Sequence, residues 1–207
     1  ADAPSPDRLA VQLAAIAVGK PYEEPKPVAL TAAQLDALTG VYRIDEKVQR
    51  VITREGTRLF SQRSGGAKRE LFALSPTEFY LKDSFTRFEF RKDAAGRVTA
   101  IAASARYGPP EVAARTEEPI PAERNAVSLD RAVYDRYVGR YQLAPGFVLA
   151  VMREGDRLMT QATGQDKVEI FPESETRFFL KVVDAQIDFV RDADGRVTGL
   201  VLHQGGQ

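Results

Sequence analysis

The chain has 207 residues, 29 Lys plus Arg balanced by 29 Asp plus Glu, and no cysteine. That length allows one large domain or two small ones, and 43% apolar residues suffice for a packed core in each half. The charge balance argues against a dedicated nucleic-acid binder and a polybasic membrane anchor, and the missing cysteine excludes disulfides, zinc–thiolate sites and a cysteine nucleophile.

At the start of the chain, Leu9, Leu13, Ile16 and Ala17 form a helical apolar stripe between Pro6, a favoured first-turn residue, and Gly19, a stop. Asp7 and Arg8 precede the stripe directly and Ala1–Pro4 carries no basic residue, so the segment reads as an amphipathic helix rather than a signal peptide. Its stripe needs a partner surface, either a barrel of this chain or a domain outside it. Three prolines between Lys20 and Pro27 then make a semi-rigid spacer, so residues 1–27 are expected to be a helix and linker. No apolar run approaches the ~20 residues that span a bilayer.

The rest of the chain is a gapless internal repeat. Gly40-Val41-Tyr42 recurs as Gly139-Arg140-Tyr141, Arg54-Glu55-Gly56-Thr57-Arg58-Leu59 as Arg153-Glu154-Gly155-Asp156-Arg157-Leu158, and Asp93-Ala94-Ala95-Gly96-Arg97-Val98-Thr99 as Asp192-Ala193-Asp194-Gly195-Arg196-Val197-Thr198, always at an offset of 99. Two copies of a unit this long are a domain duplication, since solenoid repeats are shorter and more numerous. Short helices are expected before each copy, capped by Thr31 and Ser128 and ending at Gly40 and Gly139.

Within each copy the period is two, as in Arg87-Phe88-Glu89-Phe90-Arg91, the pattern of a half-buried strand. About seven strands are expected in the first copy, near 41–45, 48–54, 58–63, 68–73, 78–83, 86–92 and 97–105, and again 99 residues later. Glycine-containing turns such as Glu55-Gly56 and Asp194-Gly195 join them as hairpins. Hairpins without a crossover helix make an antiparallel meander, which hides its edges by curling into a barrel. The expected fold is all-β: two tandem small antiparallel barrels over 28–108 and 128–207, joined by a proline-rich linker over 109–127.

The sequence offers no self-sufficient catalytic site. The lone histidine, His203, has no Gly-x-Ser-x-Gly elbow to serve, and no serine is followed at the third position by lysine. Asp192-Ala193-Asp194-Gly195 resembles the start of a calcium loop but lacks its distal glutamate, and Ser64-Gly65-Gly66 has no helix behind it to form a phosphate loop. Abundant acidic residues leave a carboxylate-pair hydrolase open as the weakest reading. No catalytic residue, cofactor or metal ligand is therefore assigned. Phe72, Phe79, Phe88 and Phe90, with Phe171, Phe178, Ile187 and Phe189 in the second copy, either line a ligand cavity or form plain core.

Copy two, through Tyr137-Val138-Gly139-Arg140-Tyr141, Thr163-Gly164, Phe171-Pro172, Phe178-Phe179, Arg191-Asp192-Ala193-Asp194-Gly195-Arg196-Val197 and Leu202-His203-Gln204, resembles a particular module. This is the lipocalin-like C-terminal module of serine β-lactamase-related, penicillin-binding-protein-like hydrolases. Copy one resembles it through copy two, and Pro6–Gly19 resembles the closing helix of the catalytic domain. The family's Ser-x-x-Lys, Tyr-x-Asn and Lys/His-Thr-Gly motifs are absent here; Thr39-Gly40, Thr163-Gly164 and Thr198-Gly199 lack the preceding Lys or His. The resemblance implies a non-enzymatic, accessory part of a bacterial serine hydrolase, partnering a catalytic domain in cis or in trans, in a periplasmic or secreted setting. From the charge balance and the short apolar runs, no nucleic-acid partner and no membrane insertion are expected. A small-molecule or glycan binder acting alone is the alternative.

Overall fold

The computed structural model describes residues 10, 13, 14, 16, 17, 19, 25–82, 84–105 and 107–205. The amphipathic helix expected over Pro6–Gly19 lies for the most part outside them. The described residues divide into two compact units, one of those up to 63 with 68–120 and the other of 64–67 with those from 121 on.

The first unit opens with α1 (Ala32–Asp36), capped as expected: the Thr31 hydroxyl accepts from the Gln34 amide at 3.2 Å, and the Gln34 side chain accepts from the Thr31 amide at 2.9 Å. Eight strands follow: β1 (Gly40–Arg43), β2 (Gln49–Glu55), β3 (Arg58–Arg63), β4 (Arg69–Ala73), β5 (Glu78–Tyr80), β6 (Arg87–Lys92), β7 (Val98–Ser104) and β8 (Glu111–Arg115). Each pairs antiparallel with the next, and β1 pairs with β8 to close the barrel. Leu35 and Leu38 join the lumen residues Tyr42, Ile52, Leu59, Phe79, Phe88, Phe90 and Ile101 in one core. The Tyr42 hydroxyl donates back to the Leu38 carbonyl at 2.7 Å, fixing the turn from helix to barrel.

Strand β8 corrects the expected domain boundaries. The proline-rich stretch assigned to a linker from residue 109 supplies a wall of the first barrel before the chain leaves it. Pro109 and Pro110 only set the bend into the strand, because from Glu111 onward every residue has an amide to donate to β7 or β1.

The second unit repeats the plan with α2 (Arg131–Asp135) and seven strands: β9 (Gly139–Ala144), β10 (Phe147–Glu154), β11 (Arg157–Ala162), β12 (Val168–Pro172), β13 (Arg177–Leu180), β14 (Ala185–Arg191) and β15 (Val197–Gln204). Helix α2 is capped by Asp130, whose carboxylate accepts from the Ala132 amide at 2.8 Å, and not by Ser128. Ser128 belongs to an extended lead-in in which the Val127 amide donates to the Pro172 carbonyl at 2.8 Å. Registers repeat at the offset of 99: Phe88 opposes Ala103 as Ile187 opposes Leu202, and Arg50 opposes Arg63 as Leu149 opposes Ala162. The turn glycines match too, with φ +60° at Gly56 and +61° at Gly155. The difference is closure. Among the described residues, the second sheet runs from β15 to β9 with no strand between those edges.

Candidate functional site

Alternation along each strand sends one residue in two into the barrel. The aromatic residues so placed pack on one another. In the first unit, Phe90 meets Tyr42 at 6.0 Å between centroids and Phe79 at 5.4 Å, both edge-to-face. In the second, Phe189 meets Phe178 at 5.4 Å and Tyr141 at 5.8 Å, and stacks on Tyr137 at 4.2 Å. Phe79, Phe88, Phe90, Phe178, Ile187 and Phe189 are all buried in these cores. Phe72 and Phe171 are placed differently. They stand on the outer face beside Tyr80 and Phe179, under Lys82 and Lys181, because the inward positions of their strands belong to Leu71, Ala73, Ile170 and Pro172.

The unusual feature is a charged cluster inside the first barrel. Arg50 on β2 points inward and is more than nine-tenths buried. One Nη donates to the Ser61 hydroxyl at 2.9 Å, the other to Glu111 Oε1 at 2.7 Å. Its guanidinium lies over the Phe88 ring at 5.1 Å, while its Nε is buried without a hydrogen bond to the protein. Arg63 on β3 takes the other carboxylate oxygen of Glu111 at 3.0 Å. Burial works to raise the Glu111 carboxyl, but the hydrogen bonds and charges of Arg50 and Arg63 outweigh it and hold the group below its usual value. The cluster thus joins β2 and β3 to β8, across the strand that closes the barrel.

Its chemistry is electrostatic. Ser61 has a guanidinium for a neighbour, which cannot accept the proton of an attacking hydroxyl. Sequence reasoning passed over Arg50, Ser61, Arg63 and Glu111. The available signal was the repeat itself: at the offset of 99, Leu149, Thr160 and Ala162 replace Arg50, Ser61 and Arg63. Three polar residues where the other copy has largely apolar ones mark an interior that diverged.

His203 lies on the outer face of the second sheet, its Nε2 3.1 Å from Asp188, and Asp188 also accepts from Arg177 at 2.6 Å. The calcium-like turn is an Asx turn: the Asp192 carboxylate accepts from the amides of Asp194 at 3.0 Å and Arg196 at 2.8 Å. Among the described residues, no group of three or more His, Asp or Glu side chains gathers as metal ligands.

A domain of unknown function, DUF3471, matches residues 24–117 and again 123–207. The chain belongs to the DUF3471 family. Each DUF3471 match encloses one set of strands, and the first runs past Arg115 to include β8. The chain is also 36% identical over 87 residues to penicillin-binding protein 4* of Bacillus subtilis (strain 168), a match covering 42% of this chain and 19% of that protein. It therefore spans about a fifth of that relative, and these DUF3471 units are related to part of a penicillin-binding protein.

Proposed function

We propose that the two units form a non-catalytic accessory region of a penicillin-binding-protein-like serine hydrolase, supporting or gating a catalytic domain in cis or in trans. The observation that carries this reading is the partial match to penicillin-binding protein 4*, which takes in only 19% of that protein. The sequence motifs support it, because no serine here has the lysine partner that such hydrolases use. The interiors support it as well, being filled by their own rings and, in the first barrel, by the Arg50–Glu111 ion pair. The mechanism is steric: loops on a rigid β scaffold stand near another domain's cleft and shape access to it. The setting is the bacterial envelope, periplasmic or secreted.

The purified chain should neither turn over nitrocefin or p-nitrophenyl esters nor take up a fluorescent penicillin covalently. In source cells an antibody to this chain should detect a band well above 22.8 kDa, or co-purify a penicillin-labelled protein. Covalent penicillin labelling of the isolated chain would overturn the reading.

A further inference from the structure

We propose that the groove between the lead-in to α2 and strands β11 and β12 binds a free α-amino acid with an aliphatic side chain, its carboxylate taken by Arg157 and its ammonium by Glu169. The site goes beyond the accessory role and does not rest on it. The groove has a volume of about 360 Å³, within the range of about 300–1,000 Å³ usual for small-molecule pockets. Its apolar lining is aliphatic: Leu158 and Ile170, 1% and 2% exposed, with Val127 and Leu129 of the lead-in. Among the described residues, three polar groups at this groove have no hydrogen bond or ion pair to the protein: the Tyr134 hydroxyl, the Arg157 guanidinium and the Glu169 carboxylate. Arg131, the other cation there, is already taken by Asp156 at 2.7 Å. Burial, and after it the charge of Glu169, hold the Tyr134 hydroxyl above its usual value, so it stays protonated and able to donate.

The first unit has the same positions tied together. At the offset of 99, Leu35, Arg58, Phe60 and Glu70 stand for Tyr134, Arg157, Met159 and Glu169. There the Arg58 guanidinium lies over the Phe60 ring at 5.1 Å and reaches Glu70 at 3.8 Å. The second unit has a thioether in place of the ring, no ion pair between Arg157 and Glu169, and a phenol where the first has leucine. The register that sets Leu158 opposite Ile170 and Met159 opposite Glu169 makes Arg157 and Glu169 diagonal neighbours on one face, roughly 7–8 Å apart. A ligand entering between them must offer an anion to one and a cation to the other at short separation. An α-amino acid does so, because its ammonium and carboxylate share one carbon. A dipeptide sets the two charges farther apart by a residue, about 3.5 Å. A simple acid or amine would leave one of the two protein charges without its partner.

The test titrates the full chain by calorimetry with L-leucine, N-acetyl-L-leucine, L-leucinamide and L-leucyl-L-leucine, following amide chemical shifts in β11 and β12 alongside. L-Leucine should bind with a Kd of about 1 mM or below and move the Leu158 and Ile170 amides, and each of the other three should bind at least about tenfold more weakly. Arg157→Gln and Glu169→Gln should each weaken L-leucine by at least about tenfold without changing the unfolding midpoint. Tyr134→Phe, which removes only the hydroxyl, should weaken it by about two- to tenfold. No binding of L-leucine up to about 10 mM would overturn the proposal. Equal binding of the acetylated or amidated compound would do the same, leaving an apolar groove that ignores charge. Affinity unchanged in both charge variants would place the ligand elsewhere on the chain, and tighter binding of the dipeptide would replace the free amino acid with a peptide.

Discussion

Arg50 and Glu111 are 61 residues apart in sequence and meet at 2.7 Å inside the first barrel, tying its second strand to its last. The pair is desolvated on the arginine side, so its worth depends on both members being present. Arg50→Leu, which installs the residue of the other copy, should destabilise the first barrel by about 1–3 kcal/mol, since it leaves Glu111 partly buried with only Arg63. Arg50→Leu combined with Glu111→Leu should recover much of that loss. Urea unfolding followed on amide signals of β7 and β8 gives the coupling energy, and additive effects would show that the pair contributes nothing.

Acid should loosen the same closure. The Glu111 carboxyl titrates below its unfolded value of 4.5 when folded. A depressed folded value means the stabilisation is complete above pH 4.5 and drains away as the pH falls through the lower folded value. The first barrel should therefore lose stability as the pH falls below 4.5 more steeply than the variant Glu111→Gln. Parallel pH profiles for the two would remove Glu111 from the account.

Alkali should act through Tyr42. Burial pushes its hydroxyl from 10.0 up to about 12, with Arg115 pulling weakly the other way. A raised folded value leaves the stabilisation whole below pH 10 and removes it as the pH climbs toward 12. Absorbance at about 295 nm, where the phenolate form absorbs, should show at least one of the seven tyrosines still protonated at pH 11, and Tyr42→Phe should reduce that fraction, the rest belonging to Tyr134 and Tyr141, which burial also raises.

Inward and outward aromatics should differ sharply. Phe79→Ala empties a fully buried site between Phe90 and Phe88 and should cost about 3–5 kcal/mol. Phe72→Ala, on the outer face, should cost about 1 kcal/mol or less. Thermal unfolding of the two variants separates the faces, and similar losses would contradict the assigned alternation.

At Gly40, φ is +147°, and an added Cβ would sit 3.2 Å from Nε of Arg115. Gly40→Ala should strain the backbone and displace that guanidinium, at about 1–3 kcal/mol. Gly139, without a positive φ and with its nearest contact at 3.6 Å, should accept alanine at less than half that loss. Denaturation midpoints of both variants provide the comparison.

Much of this fold was legible because the repeat made each strand readable twice. The alternation in Arg87–Arg91, the turn glycines and the Thr31 cap all carry local signals. Strand β8 did not, because its pattern is inverted: Glu111, Ala113 and Arg115 face in, while Val112 is 45% exposed. A periodicity argument cannot recognise a strand whose inward positions are charged. Their partners Arg50, Arg63 and the carbonyls of Ala37 and Thr39 lie far away in sequence. The same inversion concealed Arg50 and Ser61 among apparent surface residues. Phe72 and Phe171 misled in the other direction, since a large ring on a half-covered outer face looks like core when only its type is read.

The β1–β8 seam also orders events in time. Among the described residues, every other ladder joins strands that follow one another along the chain, so each can zip from its own hairpin. The seam must instead bring Tyr42 to Arg115 across the whole first barrel, and the loop entropy of that step falls due before its contacts are made. Among the described residues, the ladders of the second unit all join neighbours, so those strands should pair faster than the β1–β8 seam closes. Assembly of the first barrel should therefore end when Glu111 arrives between Arg50 and Arg63.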